Sequence, residues 1–545
     1  MRPELFHRLE RMTPEELAGQ MLILGFPGQK AEAAAKVLAL KPAGVSLLPR
    51  NLVDARQTAA LTGALQAAAA EAGAEPLLIG ADQEGGAITA VADGTTLFPG
   101  AMALGAAGKP ELTEEVALAQ GREAAAMGIN LNYAPVADVN SNPRNPIIGV
   151  RSFGDDPVEV ARHVAAAVRG YRTAGILATA KHFPGHGAAE IDTHLGLPVL
   201  PVEMETMVHR ELPPFRAAIA AGVDAVMTAH IVFPALDRLH PATLSAAILA
   251  GLLRQELGFN GLILTDCLEM EAISSRYEPE EYALAAVEAG ADLLLVSHTY
   301  ERQVAVRDAI AAAVRRGTLA RERVAASVAR VLSVKERLGL YDALRPSRAD
   351  LEGMLAAHGA LAERVARAAV TEVWNDGILP LAAETTVVAV WPEIAPRPRV
   401  GDPAAVSPLG RVLAGYCRRV IEIRFPAVPG VEDTKKALFA AAAGDVIVAA
   451  TAGARPEQTD AQIELVRALL ELGKPVIVLA LRTPYDLRRL RGASAGLAVY
   501  DPGAVAVRAA AEVIFGRRPA SGRLPVAAEY VAGGPGEKAG TRPSL

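Results

Sequence analysis

Short runs of consecutive apolar residues recur through the first 300 residues, separated by longer alanine-rich stretches. The runs are Met21 to Gly25, Ala43 to Leu48, Pro76 to Ala81, Ile129 to Ala134, Ile176 to Ala180, Ala225 to Ala229, Gly261 to Thr265 and Ala291 to Val296. Continuous apolar runs of this length suit strands covered on both faces. The segments between them, such as Val116 to Met127, Val158 to Thr173 and Pro214 to Ala221, have apolar spacing that suits a helix. Eight strands alternating with helices over about 330 residues predict a parallel sheet in its closed form, the (β/α)8 barrel.

Such a barrel carries its chemistry at the C-terminal ends of its strands. The third run ends in Asp82-Gln83-Glu84-Gly85-Gly86, and the fourth leads to Asp138. The fifth leads to Lys181-His182, the sixth to His230 and the seventh to Asp266. Immediately before the runs, only Glu75 and Asp224 are charged. The ionisable groups therefore fall on the end where a barrel places its active site.

After Leu340-Tyr341-Asp342-Ala343-Leu344-Arg345-Pro346-Ser347 the pattern restarts. A helical stretch from Ala349 to Ala369 precedes new apolar runs at Thr386 to Val390, Val420 to Ile423, Asp445 to Ala450, Pro475 to Leu481 and Gly496 to Tyr500. Helix-like segments separate most of them, which predicts a smaller α/β sandwich. The expected layout is a barrel over 1–340, a linker and connecting helix over 341–384, and the sandwich over 385–531. A loosely ordered tail, rich in Gly and Pro, is expected over 532–545.

Composition narrows the function classes. The 545 residues are 51% hydrophobic and 21% charged, an ordinary balance for a water-soluble globular protein. A net charge of −6 without a basic stripe excludes a nucleic-acid footprint. Cys267 and Cys417 fall in different predicted domains, so no disulfide framework is expected. The charged N-terminus lacks a signal-like apolar core, and no segment has membrane-span length. A cytoplasmic protein, monomer or homodimer, with no membrane partner is expected.

The densest chemistry lies in Lys181-His182-Phe183-Pro184-Gly185-His186-Gly187 and the following Asp192-Thr193-His194. Titratable groups gathered where a buried strand meets a loop mark a candidate site. Asp192 and His194 alternate along the chain, so in a tight loop they can hydrogen-bond. The carboxylate then fixes the imidazole tautomer and raises its pKa, giving a proton donor near neutral pH. Asp266 stands at the tip of a buried strand. A strand-end Asp is often a helix N-cap, but with Asp82, Lys181 and His182 facing the same barrel mouth the nucleophile reading is the better one.

These segments resemble glycoside hydrolase family 3, in its β-N-acetylglucosaminidase branch of bacterial cell-wall recycling. The matching stretches are Asp82 to Gly86, Ala134 to Val139, Gly149-Val150-Arg151-Ser152-Phe153-Gly154, Lys181 to Gly187 with Asp192 to His194, Met227-Thr228-Ala229-His230, and Thr265-Asp266 with Met270. They run in family order over about residues 17 to 340. Phe515-Gly516 and Ser521 to Pro525 resemble the family's second domain more weakly. The resemblance implies a retaining exo-glycosidase acting on carbohydrate, with no metal or other cofactor. Asp266 would be the nucleophile, and His194, oriented by Asp192, the acid/base. Asp82, Arg151, Lys181 and His182 would hold the non-reducing sugar, and His230 would line the site. Glucosidase-type members carry a Trp after the nucleophile and take their acid/base from the second domain. This chain has Cys267 there and the Asp–His pair in the barrel. Relatives usually carry an Arg after the double Gly of the Asp82 motif, where this chain has Ala87.

Two other chemistries fit part of the pattern. Some relatives with the same Asp–His pair use phosphate as acceptor, since an imidazole base does not repel that anion as a carboxylate would. A metallohydrolase would use His182, His186, His194, His230 and an Asp as ligands. Such barrels usually carry His-x-His after the first strand, where this chain has Gly25-Phe26-Pro27-Gly28.

Overall fold

The computed structural model describes residues 1–190, 196–342, 351–393, 408–453 and 455–532. The eight apolar runs form eight parallel strands: β1 (Leu22–Leu24), β2 (Gly44–Ser46), β3 (Leu78–Ala81), β4 (Leu131–Asn132), β5 (Leu177–Phe183), β6 (Ala225–Thr228), β7 (Leu262–Leu264) and β8 (Leu294–Val296). Each pairs with the next, β8 also pairs with β1, and a bridge between Leu264 and Leu293 joins β7 to β8. Every residue of these strands is buried, the polar ones such as Asn132, Lys181 and His182 included, which is why apolar residues dominate them.

The barrel is filled. Ile23, Leu78, Leu131, Tyr133, Leu177, Met227, Leu264 and Leu295 form an interior cluster. Val331 and Val334, from the helix Arg321–Arg337, belong to the same cluster. The two charges that precede strands serve structural ion pairs: Glu75 with Arg8, and Asp224 with Arg337. Asp292, before β8, is held by Arg254, Arg330 and Ser327. These pairs take up the charge at the N-terminal ends and leave the opposite face for chemistry.

The helix Leu351–Ala369 leads into a second sheet of six strands: β9 (Thr371–Asn375), β10 (Thr386–Pro392), β11 (Arg419–Phe425), β12 (Val446–Thr451), β13 (Val476–Ala480) and β14 (Ala495–Ala498). Their order is β11-β10-β12-β13-β14-β9. Five strands are parallel, and β9 joins the edge antiparallel to β14. β9 arises within the stretch expected to be linker. Its register shifts between Glu372 and Trp374, and Val373 and Trp374 both reach one apolar layer while Glu372 is exposed, so only two adjacent apolar residues mark it. Apolar layers cover both faces of the sheet. Met102, Ala103 and Ala106 of the barrel helix Ala101–Ala107 enter one of them, giving the two domains a shared apolar contact. The tail expected to be loosely ordered lies outside the described residues from 533 onward.

Candidate active site

The strand ends bring the sequence-predicted residues to one mouth. Asp82 follows β3, Arg151 lies in a turn after β4, Lys181 and His182 end β5, His230 follows β6, and Asp266 follows β7. Lys181 Nζ lies 2.6 Å from Asp82 Oδ1 and 2.6 Å from Glu84 Oε1. Arg151 donates to Glu84 through Nε at 3.0 Å and Nη2 at 2.8 Å, a bidentate pair. Burial opposes the Glu84 charge, but Arg151 and Lys181 outweigh it and hold the carboxyl at about 2. Burial likewise opposes the Lys181 charge, and Asp82 and Glu84 raise its pKa nonetheless. Glu84, Lys181 and Arg151 are therefore all charged at neutral pH. Glu84 is the buried hub, whereas the Asp82 side chain is 40% exposed and keeps a side open to the barrel mouth.

Buried Asp138 anchors the other half of the site. Its Oδ1 accepts from the His182 amide at 3.1 Å and the His186 amide at 2.7 Å, and its Oδ2 accepts from His182 Nδ1 at 2.8 Å. This fixes the His182 tautomer, with the proton on Nδ1 whenever the ring is neutral. His186 lies edge-on to His182 with ring centroids 5.5 Å apart. Burial, helped by the field of His182, lowers its pKa to about 4 and keeps it neutral at physiological pH.

His230 Nε2 is 3.0 Å from the Cys267 carbonyl, and Nδ1 is 2.7 Å from Thr243 Oγ1. A carbonyl can only accept, so Nε2 carries a hydrogen. His230 thus ties β6 to the turn that follows Asp266. Asp266 Oδ1 accepts from the Cys267 amide at 2.7 Å. Burial opposes its charge, but His230, His182, that amide and Lys181 hold the carboxyl below the ordinary aspartate range. The group is an ionised carboxylate throughout the neutral range, as a nucleophile must be.

Asp192 and His194 lie outside the described residues. Ala87 sits between the hairpin strands Gln83–Gly85 and Ile88–Thr89, and Lys181 is a cation that touches Asp82. Among the described residues, no three His, Cys, Asp or Glu side chains are grouped to hold a metal ion. No helix among them is long and apolar enough to cross a membrane.

Sequence reading left two site residues without a role. Glu84 shares an extended segment with Asp82 two residues away, and that i, i+2 spacing is its signal. Asp138 is visible at a strand end, but its partners, the His182 ring and the amides of His182 and His186, lie 44 and 48 positions later.

The strand ends thus gather an ionised carboxylate, a wall of paired charges and a fixed imidazole at one mouth of a filled barrel. Residues 13–334 match the Glycosyl hydrolase family 3 N terminal domain, and residues 297–536 match the family's C-terminal domain. The chain belongs to glycosyl hydrolase family 3. It is 31% identical to a β-hexosaminidase A of Pseudoalteromonas piscicida, covering 95% of this chain and 98% of that protein. A solved family 3 β-N-acetylglucosaminidase of Paenibacillus sp. str. FPU-7 is 40% identical, with a TM-score of 0.88 over 95% of this chain and 99% of the other. A β-glucoside phosphorylase at 24% identity, TM-score 0.82, over 97% and 98% of the two chains, shares the fold.

Proposed function

We propose that this glycoside hydrolase removes terminal β-linked N-acetylglucosamine, or a related N-acetylhexosamine, with retention of configuration. The observation that carries the mechanism is Asp266: a strand-end carboxylate held ionised by three flanking basic side chains and a backbone amide. Its oxygen attacks the anomeric carbon as the bond to the leaving oxygen breaks, and His194 delivers a proton to that oxygen. In the second step His194 takes a proton from water, the water oxygen bonds to the anomeric carbon, and Asp266 departs. Asp192 orients His194. Asp82, Lys181 and His182 hold sugar hydroxyls, Arg151 and Glu84 keep Lys181 in place and close the wall, and His230 steadies the Asp266 turn. The N-acetyl preference rests on the relatives of 31–40% identity, whereas the phosphorylase likeness is one of fold. Peptidoglycan-derived oligosaccharides met in the cytoplasm are the natural substrates we infer.

The test uses aryl β-glycosides of N-acetylglucosamine, N-acetylgalactosamine, glucose and xylose, with and without phosphate. We expect the N-acetylglucosaminide to turn over fastest, to release the β-anomer first, and to be indifferent to phosphate. Turnover that requires phosphate and yields a sugar 1-phosphate would replace hydrolysis by phosphorolysis. His194→Ala should spare glycosylation by a dinitrophenyl glycoside and slow a disaccharide roughly a hundred- to ten-thousand-fold. Equal slowing of both would move the acid elsewhere.

A further inference from the structure

The stretch from Asn140 to Asp155 carries Arg151 into the charged wall, and the second domain grips it on both sides of that residue. Asn140 Nδ2 donates to the Tyr485 hydroxyl at 2.8 Å. Val150, next to Arg151, packs against the apolar layer of the second domain. Beyond Arg151, the Asp155 amide donates to the Pro525 carbonyl at 3.0 Å, and the Ala527 amide donates to Asp155 Oδ2 at 2.6 Å. A Cβ at Gly154 would stand 2.3 Å from the Pro525 oxygen, so the two backbones meet there without room for any side chain.

The same stretch also reaches the loop after β5. Asn145 Nδ2 donates to the carbonyls of His186 at 2.8 Å and Gly187 at 3.0 Å. Its Oδ1 accepts from the amides of Ile147 and Ile148, which fixes the approach to Arg151. Ser152, on the other side, donates to the Asp138 carbonyl at 2.6 Å. A displacement at either anchor would pass to the Arg151–Glu84 pair and so to Lys181 and Asp82.

We propose that the second domain positions the sugar-holding wall: Tyr485 and the Pro525–Ala527 backbone hold the Asn140–Asp155 stretch so that Arg151 meets Glu84 in register. Tyr485 and Asp155 are positioning residues and touch no substrate. This rests on the reading of the Asp82–Glu84–Lys181–Arg151 wall as the substrate-holding part of the site. Asp266, which follows β7, is held chiefly by His230, His182 and the Cys267 amide, with Lys181 the least of its supports. Loss of an anchor should therefore weaken binding and leave the chemical step intact.

The experiment measures KM and kcat for an aryl N-acetylglucosaminide, together with the thermal midpoint, for Tyr485→Phe, Asp155→Ala and Asp155→Asn. Each is made in the wild-type and the Arg151→Ala background. Tyr485→Phe deletes only a hydroxyl, and Asp155→Asn keeps an oxygen to accept from the Ala527 amide. We expect Tyr485→Phe and Asp155→Ala to raise KM roughly threefold to tenfold, the range of one hydrogen bond, with kcat within about twofold. Asp155→Asn should stay near wild type. In the Arg151→Ala background the same substitutions should add little, because the residue they position is gone. If they still raised KM by the full factor, or acted on kcat alone, the proposal would be overturned while the wall reading stood. If Arg151→Ala itself left KM unchanged, the wall reading would fall and the positioning role with it.

Discussion

Glu211 offers a sharp test of how the loop after β5 is held. It ends the π-helical turn Met207–Glu211, just before the helix Leu212–Ala220, and is only 2% exposed. Oε1 pairs with Arg210 at 2.7 Å, whereas Oε2 is buried and has no hydrogen-bond partner among the described residues. A Cβ at Gly185 would stand 2.6 Å from that oxygen, so the loop can cross the carboxyl only because residue 185 is glycine. Burial pushes the Glu211 carboxyl up to about 7, with Asp138 adding to the rise and Arg210 opposing it.

A carboxyl whose folded pKa exceeds its unfolded one makes the fold bind more protons than the unfolded chain. Stability then falls as pH rises between the two values. From 4.5 to about 7 the full loss is about 3 kcal/mol. It amounts to about 1 kcal/mol at pH 5 and is nearly complete by pH 7. Glu211→Gln cannot titrate. The difference between variant and wild type should therefore grow in the variant's favour by about 2 kcal/mol between pH 5 and 8. The assay is urea unfolding followed by far-UV circular dichroism at several pH values, taking the barrel transition. Every other titrating group cancels in the difference. Parallel stability curves for the two proteins would refute the reasoning, because Glu211 would then be ionised in the fold as in the unfolded chain.

Three further outcomes follow from the same geometry. Asp266→Asn should cut turnover by several orders of magnitude while leaving the thermal midpoint close to wild type; retention of more than a few per cent of activity would remove Asp266 from the nucleophile's role. Glu84→Gln strips the shared partner from buried Arg151 and Lys181, so both the thermal midpoint should fall and KM should rise more than tenfold, with about 3 to 5 kcal/mol of stability at stake. Lys335 is buried with Nζ 2.8 Å from Gln20 Oε1, and burial lowers its pKa to about 7. A base with a depressed folded pKa gives stability that grows as pH rises from 7 towards 10.5, and Lys335→Met should abolish that growth in pH-dependent unfolding.

The architecture was legible where burial is two-sided. Strands such as β3, β7 and β8 are covered on both faces, so each appears as an apolar run with the following polar group exposed at its tip. β9 was not legible, because Glu372 and Asn375 flank an apolar stretch of only two residues, Val373 and Trp374, in an edge strand of irregular register. The same divide separates the site residues. Asp82, Lys181, His182, His230 and Asp266 announce themselves by standing at strand ends. Glu84 was hidden because its role is defined by Arg151, 67 positions later.

Glu211 carries no signal in the sequence, since the loop at Gly185 that lies against its carboxyl comes from 26 positions earlier. Tyr485 is no more visible, since its partner Asn140 lies 345 positions away in another domain. Groups that meet substrate must emerge where the scaffold ends, and a strand pattern gives that place away. Groups that hold them need only reach them, from any part of the chain, and each reach is fixed by the packing of two elements. For this reason the charged wall cannot be treated as a property of the barrel alone. Its Arg151 edge is set by contacts made with residues 485 to 527, so substitutions in the second domain should be read first in KM.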